Sequence, residues 1–327
     1  MTHPPDNAKW NWLATLNAAG PFLGLLLVIA LFSLKGEVRE YFLTVSNFKI
    51  ILTQTVIVAI GALGMTMIII SGGIDLSVGS VIALTSVVGA VLIKAGQPPL
   101  VVGAVVILAG GIIGLMTGGM VAGLRLAPFI VTLGMMGIVR GAAKWLGNNQ
   151  TVNFKESPIS NIMSDPDPLK WQPPPGVWVA IAMAVLMAVV MRQTVFGRYV
   201  FAIGSNEATA RLCGIRTRLM KVFIYGLAGL FFGLAGLMQL SRLRQGDPTV
   251  AVGIELDIIA AVVIGGASLS GGSGTILGSM IGALIMAVLR NGSQQMGWPN
   301  YIQDIIIGAV IILAVGLDQL RQARQNT

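Results

Sequence analysis

Long apolar runs that break at glycine and serine, then resume, constrain this chain more than any other feature. Two of the breaks nearly repeat each other. Residues 72–91 read GGIDLSVGSVIALTSVVGAV and residues 265–284 read GGASLSGGSGTILGSMIGAL. Aligned without gaps, they share Gly72/Gly265, Gly73/Gly266, Leu76/Leu269, Ser77/Ser270, Gly79/Gly272, Ser80/Ser273, Leu84/Leu277, Ser86/Ser279, Gly89/Gly282 and Ala90/Ala283. Paired, glycine-interrupted apolar segments in the two halves of a membrane chain point to an internal repeat beside a solute path. Glycine, serine and leucine are also common in packed membrane helices, so the repeat is a weak one. Its sense, parallel or inverted, depends on how many crossings lie between the copies.

A helix needs about 20 apolar residues to cross a bilayer. Candidate spans fall at 18–34, 50–70, 76–93, 100–124, 126–146, 177–191, 222–240, 254–264, 275–289 and 305–317. The 126–146 run carries Pro128, Arg140 and Lys144 and reads as a crossing or a re-entrant helix, and 254–264 is too short to cross alone. The expectation is an all-α polytopic membrane protein with eight to ten crossings, ten favoured, in one transmembrane domain over 1–327. Composition agrees, with 55% hydrophobic and 10% charged residues and a mean hydropathy of +0.82, against about 25% charged in a soluble domain. Glycine, at 42 residues, suits helices that pack closely in lipid.

The net charge of +8 follows membrane topology rather than nucleic-acid binding, because few aromatics accompany the basic residues. The densest basic segment, about 192–221, holds Arg192, Arg198, Arg211, Arg216, Arg218 and Lys221 and reads as a cytoplasmic loop. Ten spans then put both termini in the cytoplasm and the proline-rich loop at about 147–175 outside. Lys35, Arg39, Lys155 and Lys170 fall outside on this topology and do not reinforce it. The polar tail at 1–16 contains the one histidine, His3, and no signal-cleavage pattern follows it, so the first span reads as a retained helix. With one cysteine, Cys213, the chain forms no internal disulfide and no thiolate metal cluster. No cofactor or metal site is expected.

Within the basic loop, Asn206-Glu207 is a helix-start signature and Gly214 suits the left-handed residue after a helix end. Ala208 to Leu212 favours helix between them. The expected product is a short, rigid helix facing the cytoplasm, either a knob that docks into a partner or a capped connector.

Three segments resemble one family: GGIDLSVGS at Gly72–Ser80, GSNEATARLCGI at Gly204–Ile215, and ELDIIAAVVIGGASLSGGSG at Glu255–Gly274. They look like the ribose-type branch of ATP-binding-cassette importer permeases, which also serves other pentoses, hexoses and an autoinducer sub-branch. The likeness runs in order from about residue 20 to about residue 320. It implies a bacterial inner-membrane permease that pairs with a second permease subunit, identical or similar. It further implies a separate cytoplasmic ATPase and a periplasmic solute-binding protein. The resemblance lays the ATPase-coupling helix on Asn206–Gly214, with Gly204, Ser205, Asn206, Glu207, Ala208, Arg211, Gly214 and Ile215 as coupling residues. A permease of this kind lacks an ATP site. All eight lysines here follow a residue other than glycine, so the Gly-Lys-Ser/Thr core of a phosphate-binding loop is absent and the chain is not read as an enzyme.

The solute path is less sharply marked. Gly72, Gly73, Asp75, Ser77, Gly265, Gly266, Ser268 and Ser270 at the two breaks are its candidates. Asp75 is an ionisable residue in a membrane segment, which is a functional candidate by default, but it also stands where an acid caps the next helix. Glu255 and Asp257 can likewise cap the run that follows them or line the mouth of the path. Outer-loop groups suited to a neutral sugar are Trp145, Asn148, Asn149, Gln150 and Asn153, and, in a second loop, Asn291, Gln294, Gln295 and Trp298. An ion-coupled secondary transporter of a small polar solute is the alternative reading, since it too has repeats and broken helices. It would bury more acids or histidines in its spans than are visible here.

Overall fold

The computed structural model describes residues 12–34, 36–124, 126–164 and 171–325. Most of the N-terminal tail, with His3, and Lys35, Arg125 and Lys170 lie outside the described residues. In chain order the elements are α1 Trp12–Ser33, α2 Gly36–Phe42, α3 Val45–Ile70, α4 Val78–Lys94, α5 Pro99–Leu124, α6 Pro128–Leu146, β1 Val152–Asn153, a 3₁₀ turn Pro158–Asn161 and α7 Pro175–Gln193. After these come α8 Val195–Ser205, α9 Glu207–Leu212, α10 Thr217–Leu243, β2 Gln245–Gly246, α11 Ile254–Ile264, α12 Ile276–Gln295 and α13 Asn300–Gln325. Among the described residues six helices are long and apolar enough to cross a membrane: α3, α5, α6, α7, α10 and α12. Three shorter apolar helices, Gly20–Ser33, Val78–Lys94 and Tyr301–Leu313, add to these, while α11, at 11 residues, is too short to cross alone. Among the described residues the fold is all-α but for one two-residue antiparallel pair, Val152 opposite Gly246 and Asn153 opposite Gln245.

The helices sort into an inner and an outer set. An apolar helix buried all round belongs to the core, and α3, with 89% of its central window buried, holds that place between α10 and α12. Only 28% of the corresponding windows of α6 and α7 is buried. Their exposed Ile130, Leu133, Ile138, Ile181 and Val185 present an apolar surface to lipid. The most extensive helix–helix contact, α5 with α10, is built on small residues. A Cβ at Gly110 would come within 2.7 Å of the Gly233 backbone, and one at Gly114 within 2.9 Å of the Gly229 Cα. Such stripes let backbones approach where hydrophobic driving force is lacking.

Both breaks use one stop signal. At the end of α3 the Gly72 amide donates to the Ile69 carbonyl and the Gly73 amide to that of Ile68, each at 2.9 Å, with Gly72 at φ +82°. At the end of α11, Gly266 at φ +91° donates to Val263 and Ala267 to Val262. These are matching left-handed glycine caps. The gapless alignment is therefore one residue out at the cap, because the left-handed position goes to Gly266 while Gly265 stays right-handed at φ −66°. The alignment recovers its register just beyond. The Ser77 amide donates to Asp75 Oδ1 at 2.7 Å, and the Ser270 amide to Ser268 Oγ at 3.2 Å. Helix α4 then starts at once, whereas α12 waits until Ile276. Gly271, Gly272 and Gly274, all at positive φ, take the second chain along a longer path.

The breaks meet. The Gly272 amide donates to the Ile70 carbonyl at 2.9 Å, so α3 and α11 end together and α4 and α12 leave from the same place. The two copies run in the same sense, consistent with a crossing helix at α6.

One polar cluster sits differently from the expected second outer loop. Asn47 lies in the first turn of α3, where its amide donates to the Thr44 cap at 3.2 Å. Asn291, Gln294 and Gln295 belong to the last turns of α12 rather than to a loop. Asn47 Oδ1 accepts from Asn291 Nδ2 at 2.9 Å and from Gln295 Nε2 at 2.7 Å. Polar side chains that satisfy one another across a helix interface let a helix continue where hydropathy suggests an end.

Candidate functional site

The short basic-loop helix forms as its residues dictate. Asn206 Oδ1 accepts the Thr209 amide at 2.9 Å, satisfying a free first-turn donor. At the other end Gly214, at φ +86°, donates to the Arg211 carbonyl and Ile215 donates to that of Ala210, the same glycine cap that ends α3 and α11. Six residues, Glu207–Leu212, are thereby fixed at both ends. Glu207 ties the helix to α10 through Lys221 Nζ at 2.6 Å and faces Arg211 at 3.6 Å. Partial burial would raise the Glu207 carboxyl, but the hydrogen bond and charge of Lys221, with Thr217 and Arg211, outweigh it and hold the group below its ordinary value. Ala208 and Arg211 stay at the surface, and Ala210 is the buried residue of the helix. The tip is apolar and open: Leu212 is 88% exposed, beside exposed Cys213.

What lies behind this helix decides what it can do. Gly204, at the end of α8, rests on the Ile70 carbonyl of the first break, and a Cβ on it would lie 2.6 Å from the Gly272 amide nitrogen of the second. Ser205 lies against Gly272, and Gly271 against both the Gly204 carbonyl and the Gly72 backbone. Three features found separately in the sequence are thus one structural unit. Helix α9 is thus tied to α10 through Lys221, and α8, which leads into it, touches both breaks through Gly204.

The candidate path residues divide. Gly72, Gly265 and Gly266 end helices, while Gly73 lies against the Tyr225 hydroxyl. Asp75 is buried and its Oδ1 accepts from both the amide and the hydroxyl of Ser77, at 2.7 and 2.6 Å, the turn that leads into α4. Ser268 and Ser270 form the equivalent turn in the second copy. Among the outer-loop candidates, Trp145 is exposed, Asn148 and Asn149 take left-handed turn conformations after α6, and Asn153 pairs in the short sheet.

Asp257, which the sequence offered as a cap or as lining the mouth of the path, belongs to a polar centre in the half of the bundle away from α9 whose other members sequence reasoning missed. Arg290 Nη2 on α12 meets Asp257 Oδ2 on α11 at 2.6 Å. Both line a cavity of about 250 Å³ with Gln54, Gln239 and Arg242. Beside it, Arg140 Nη1 donates to the carbonyls of Pro248 and Val250 at 2.9 and 2.7 Å, clamping the irregular segment 247–253 that leads into α11. Non-helical backbone at membrane depth is tolerated only inside protein or along a wet cavity. Arg242 and Arg290 stand just past the apolar runs 222–240 and 275–289, so they read as end charges. Only α12 runs well past its arginine, to Gln295, while α10 ends one residue after Arg242, and no sequence signal marked either as buried.

Comparison with known proteins places this architecture. Residues 47–315 match the family described as branched-chain amino acid transport system / permease component, so the chain belongs to that permease family. It is 39% identical over 305 residues to the ribose import permease protein RbsC of Escherichia coli strain K12, covering 91% of this chain and 93% of the relative. To the protein of that name in Bacillus subtilis strain 168 it is 38% identical over 304 residues, covering 93% of each. To the L-arabinose ABC transporter permease protein AraH of Azospirillum brasilense it is 35% identical over 329 residues, covering 98% of this chain and 93% of the relative. No solved structure matches it significantly. The chain is a multi-pass membrane permease of the ribose-type branch, a transport component and not an enzyme.

Proposed function

We propose that this permease is the membrane subunit of an ATP-driven importer that carries a monosaccharide or similar small polyol into the cytoplasm. A separate nucleotide-binding ATPase drives it, a periplasmic binding protein feeds it, and a second permease subunit, identical or similar, completes it. The sugar class rests on the relatives' names. The observation that carries the mechanism is the contact of Gly204 and Ser205 with both breaks, directly behind a capped helix that exposes Leu212. The basic residues around α9 favour the cytoplasmic side for this end, with both termini on that side.

ATP-driven closure of the ATPases would displace α9. Ties through Lys221 and Gly204 would carry the displacement into α10, α3 and the break that follows α11, tilting the central helices between outward- and inward-open arrangements. Such a shift occurs only to the extent that the ATP-bound partner interacts differently with the two arrangements. The ion-coupled alternative loses support from the disposition of the buried acids. Asp75 is engaged in its Ser77 turn and Asp257 is paired with Arg290.

Mild-detergent capture of the tagged chain from its own membranes tests the proposal. A nucleotide-binding ATPase should copurify, and should be lost when 204–215 is replaced by a flexible linker. A chain that purifies alone, yet drives uptake in proteoliposomes without ATP, would leave the secondary transporter standing.

A further inference from the structure

The polar cavity between α3, α10, α11 and α12 carries more chemistry than helix packing needs. A buried ion pair is costly unless its remaining donors and acceptors are satisfied. Here they are not. Asp257, 3% exposed, keeps Oδ1 without a partner, Arg290 keeps Nε without one, and Gln54 Oε1 has none. Buried polar atoms in native proteins are overwhelmingly paired, so each exception calls for a reason. Three exceptions on the wall of one cavity call for a shared reason.

The surroundings supply it. The cavity, at about 250 Å³, falls just under the roughly 300–1,000 Å³ typical of sites for drug-sized ligands, a size that suits a single sugar ring. A second cavity of about 230 Å³, lined by Ser46, Lys49 and Thr53, shares Gln54 and Arg242 with it. Gln54 and Arg242 therefore stand between the two cavities. The open wall is the segment 247–253, which approaches the site through Ala251, held at φ +60°. The unpartnered atoms are covered by their neighbours, so the arrangement is a closed one. Opening exposes acceptors (Asp257, Gln54) beside donors (Arg290, Arg242), with the acid and one guanidinium neutralising each other.

We infer that this cavity is a hydroxyl-reading subsite on the solute path, where a neutral polyol rests with adjacent hydroxyls shared between Asp257 and Arg290. One hydroxyl donates to Asp257 Oδ1 and its neighbour accepts from Arg290 Nε, while Gln54 accepts from a third. The inference rests on the importer reading above, and it adds the residues that hold the solute.

Gln54→Leu is the discriminating variant. Its Oε1 has no partner to lose, so in a purely structural role the apolar replacement is neutral or stabilising. The full transporter, with its ATPase and binding protein, would be reconstituted in proteoliposomes. Uptake of labelled D-ribose, L-arabinose and D-galactose would be measured against the sugar acid D-gluconate, with ATP hydrolysis and the apparent melting midpoint recorded in parallel. Gln54→Leu should keep assembly and midpoint but lower sugar uptake at subsaturating concentration several-fold to about tenfold. Asp257→Asn should lower uptake at least as far and change the ranking among the three sugars. Wild-type uptake of the neutral sugars with Gln54→Leu and Asp257→Asn unaffected would overturn the subsite and leave the importer reading intact. Uptake of gluconate alone would overturn the polyol assignment in favour of an anion. A wild-type complex that moves none of the four would overturn both readings.

Discussion

Gly204→Ala is the smallest change that tests the link between the docking helix and the broken core helices. The added methyl would overlap the Ile70 carbonyl and stand 2.6 Å from the Gly272 nitrogen, and both groups are backbone, so neither can swing aside. Room can come only by moving α8 off the breaks or by parting the Gly272–Ile70 hydrogen bond of 2.9 Å. Overpacking of a tight interface costs about 1–3 kcal/mol, and leaving a buried amide and carbonyl unpaired costs about 1–3 kcal/mol more if the bond opens. The expected loss is therefore at least ~1 kcal/mol, more if the bond parts. A shift of α8 should weaken transmission more than it weakens folding. In the reconstituted transporter, uptake should fall at least tenfold while the ATPase still copurifies and hydrolyses ATP. The apparent melting midpoint of the purified chain should drop by a few degrees. Gly119→Ala, where the added methyl would meet nothing within 4 Å, serves as the control. Unchanged midpoint and unchanged coupling ratio in Gly204→Ala would refute the claim that this contact carries the motion.

Gly214→Val should uncouple hydrolysis from uptake without blocking membrane insertion, because a β-branched residue at φ +86° unwinds the end of α9; uptake per ATP hydrolysed reads it. Glu207→Lys should weaken ATPase-coupled uptake by repelling Lys221, and Glu207→Lys with Lys221→Glu should recover part of it. The Glu207 carboxyl is held below its ordinary value, chiefly by the hydrogen bond and charge of Lys221. Its contribution is therefore complete above that value and disappears as pH falls through the lowered one. Hydrogen exchange of α9 amides, corrected for intrinsic rates, should be level from about pH 5 to 8 and rise only in stronger acid. Gly110→Leu should abolish accumulation of folded protein, since the side chain would enter the Gly229 and Gly233 backbone. Asn291→Leu removes one interhelical hydrogen bond to Asn47, and should cost about 0.6 kcal/mol, the average for such bonds in membranes, seen as a small fall in midpoint.

Elements governed by local chemistry were legible from the chain. The short helix α9 is set by Asn206 and Gly214, residues whose backbone roles are nearly unique, and both act as their types imply. Helix number followed from hydropathy because lipid forces every crossing segment to satisfy its own backbone. Helix ends were less legible. Asn47 and Asn291 look like loop residues until each is seen to satisfy the other across an interface 244 residues apart in sequence. The one-residue slip at the second break arose because identity pairs glycines by name, while conformation singles out the one with positive φ. The polar cavity was hidden for a related reason. Asp257, Arg290 and Arg242 each sit near the end of an apolar run, and only the folded bundle turns three apparent end charges into a buried centre.

Cys213 offers the most direct test of the account, being the one cysteine of the chain and exposed at the tip of α9. A thiol-anchored photo-crosslinker placed there in native membranes should capture the nucleotide-binding ATPase, with a yield that changes when the ATPase is trapped with ATP and vanadate. Capture of no ATPase, in membranes that are importing solute, would contradict the assignment of α9 as the point where ATP hydrolysis enters the permease.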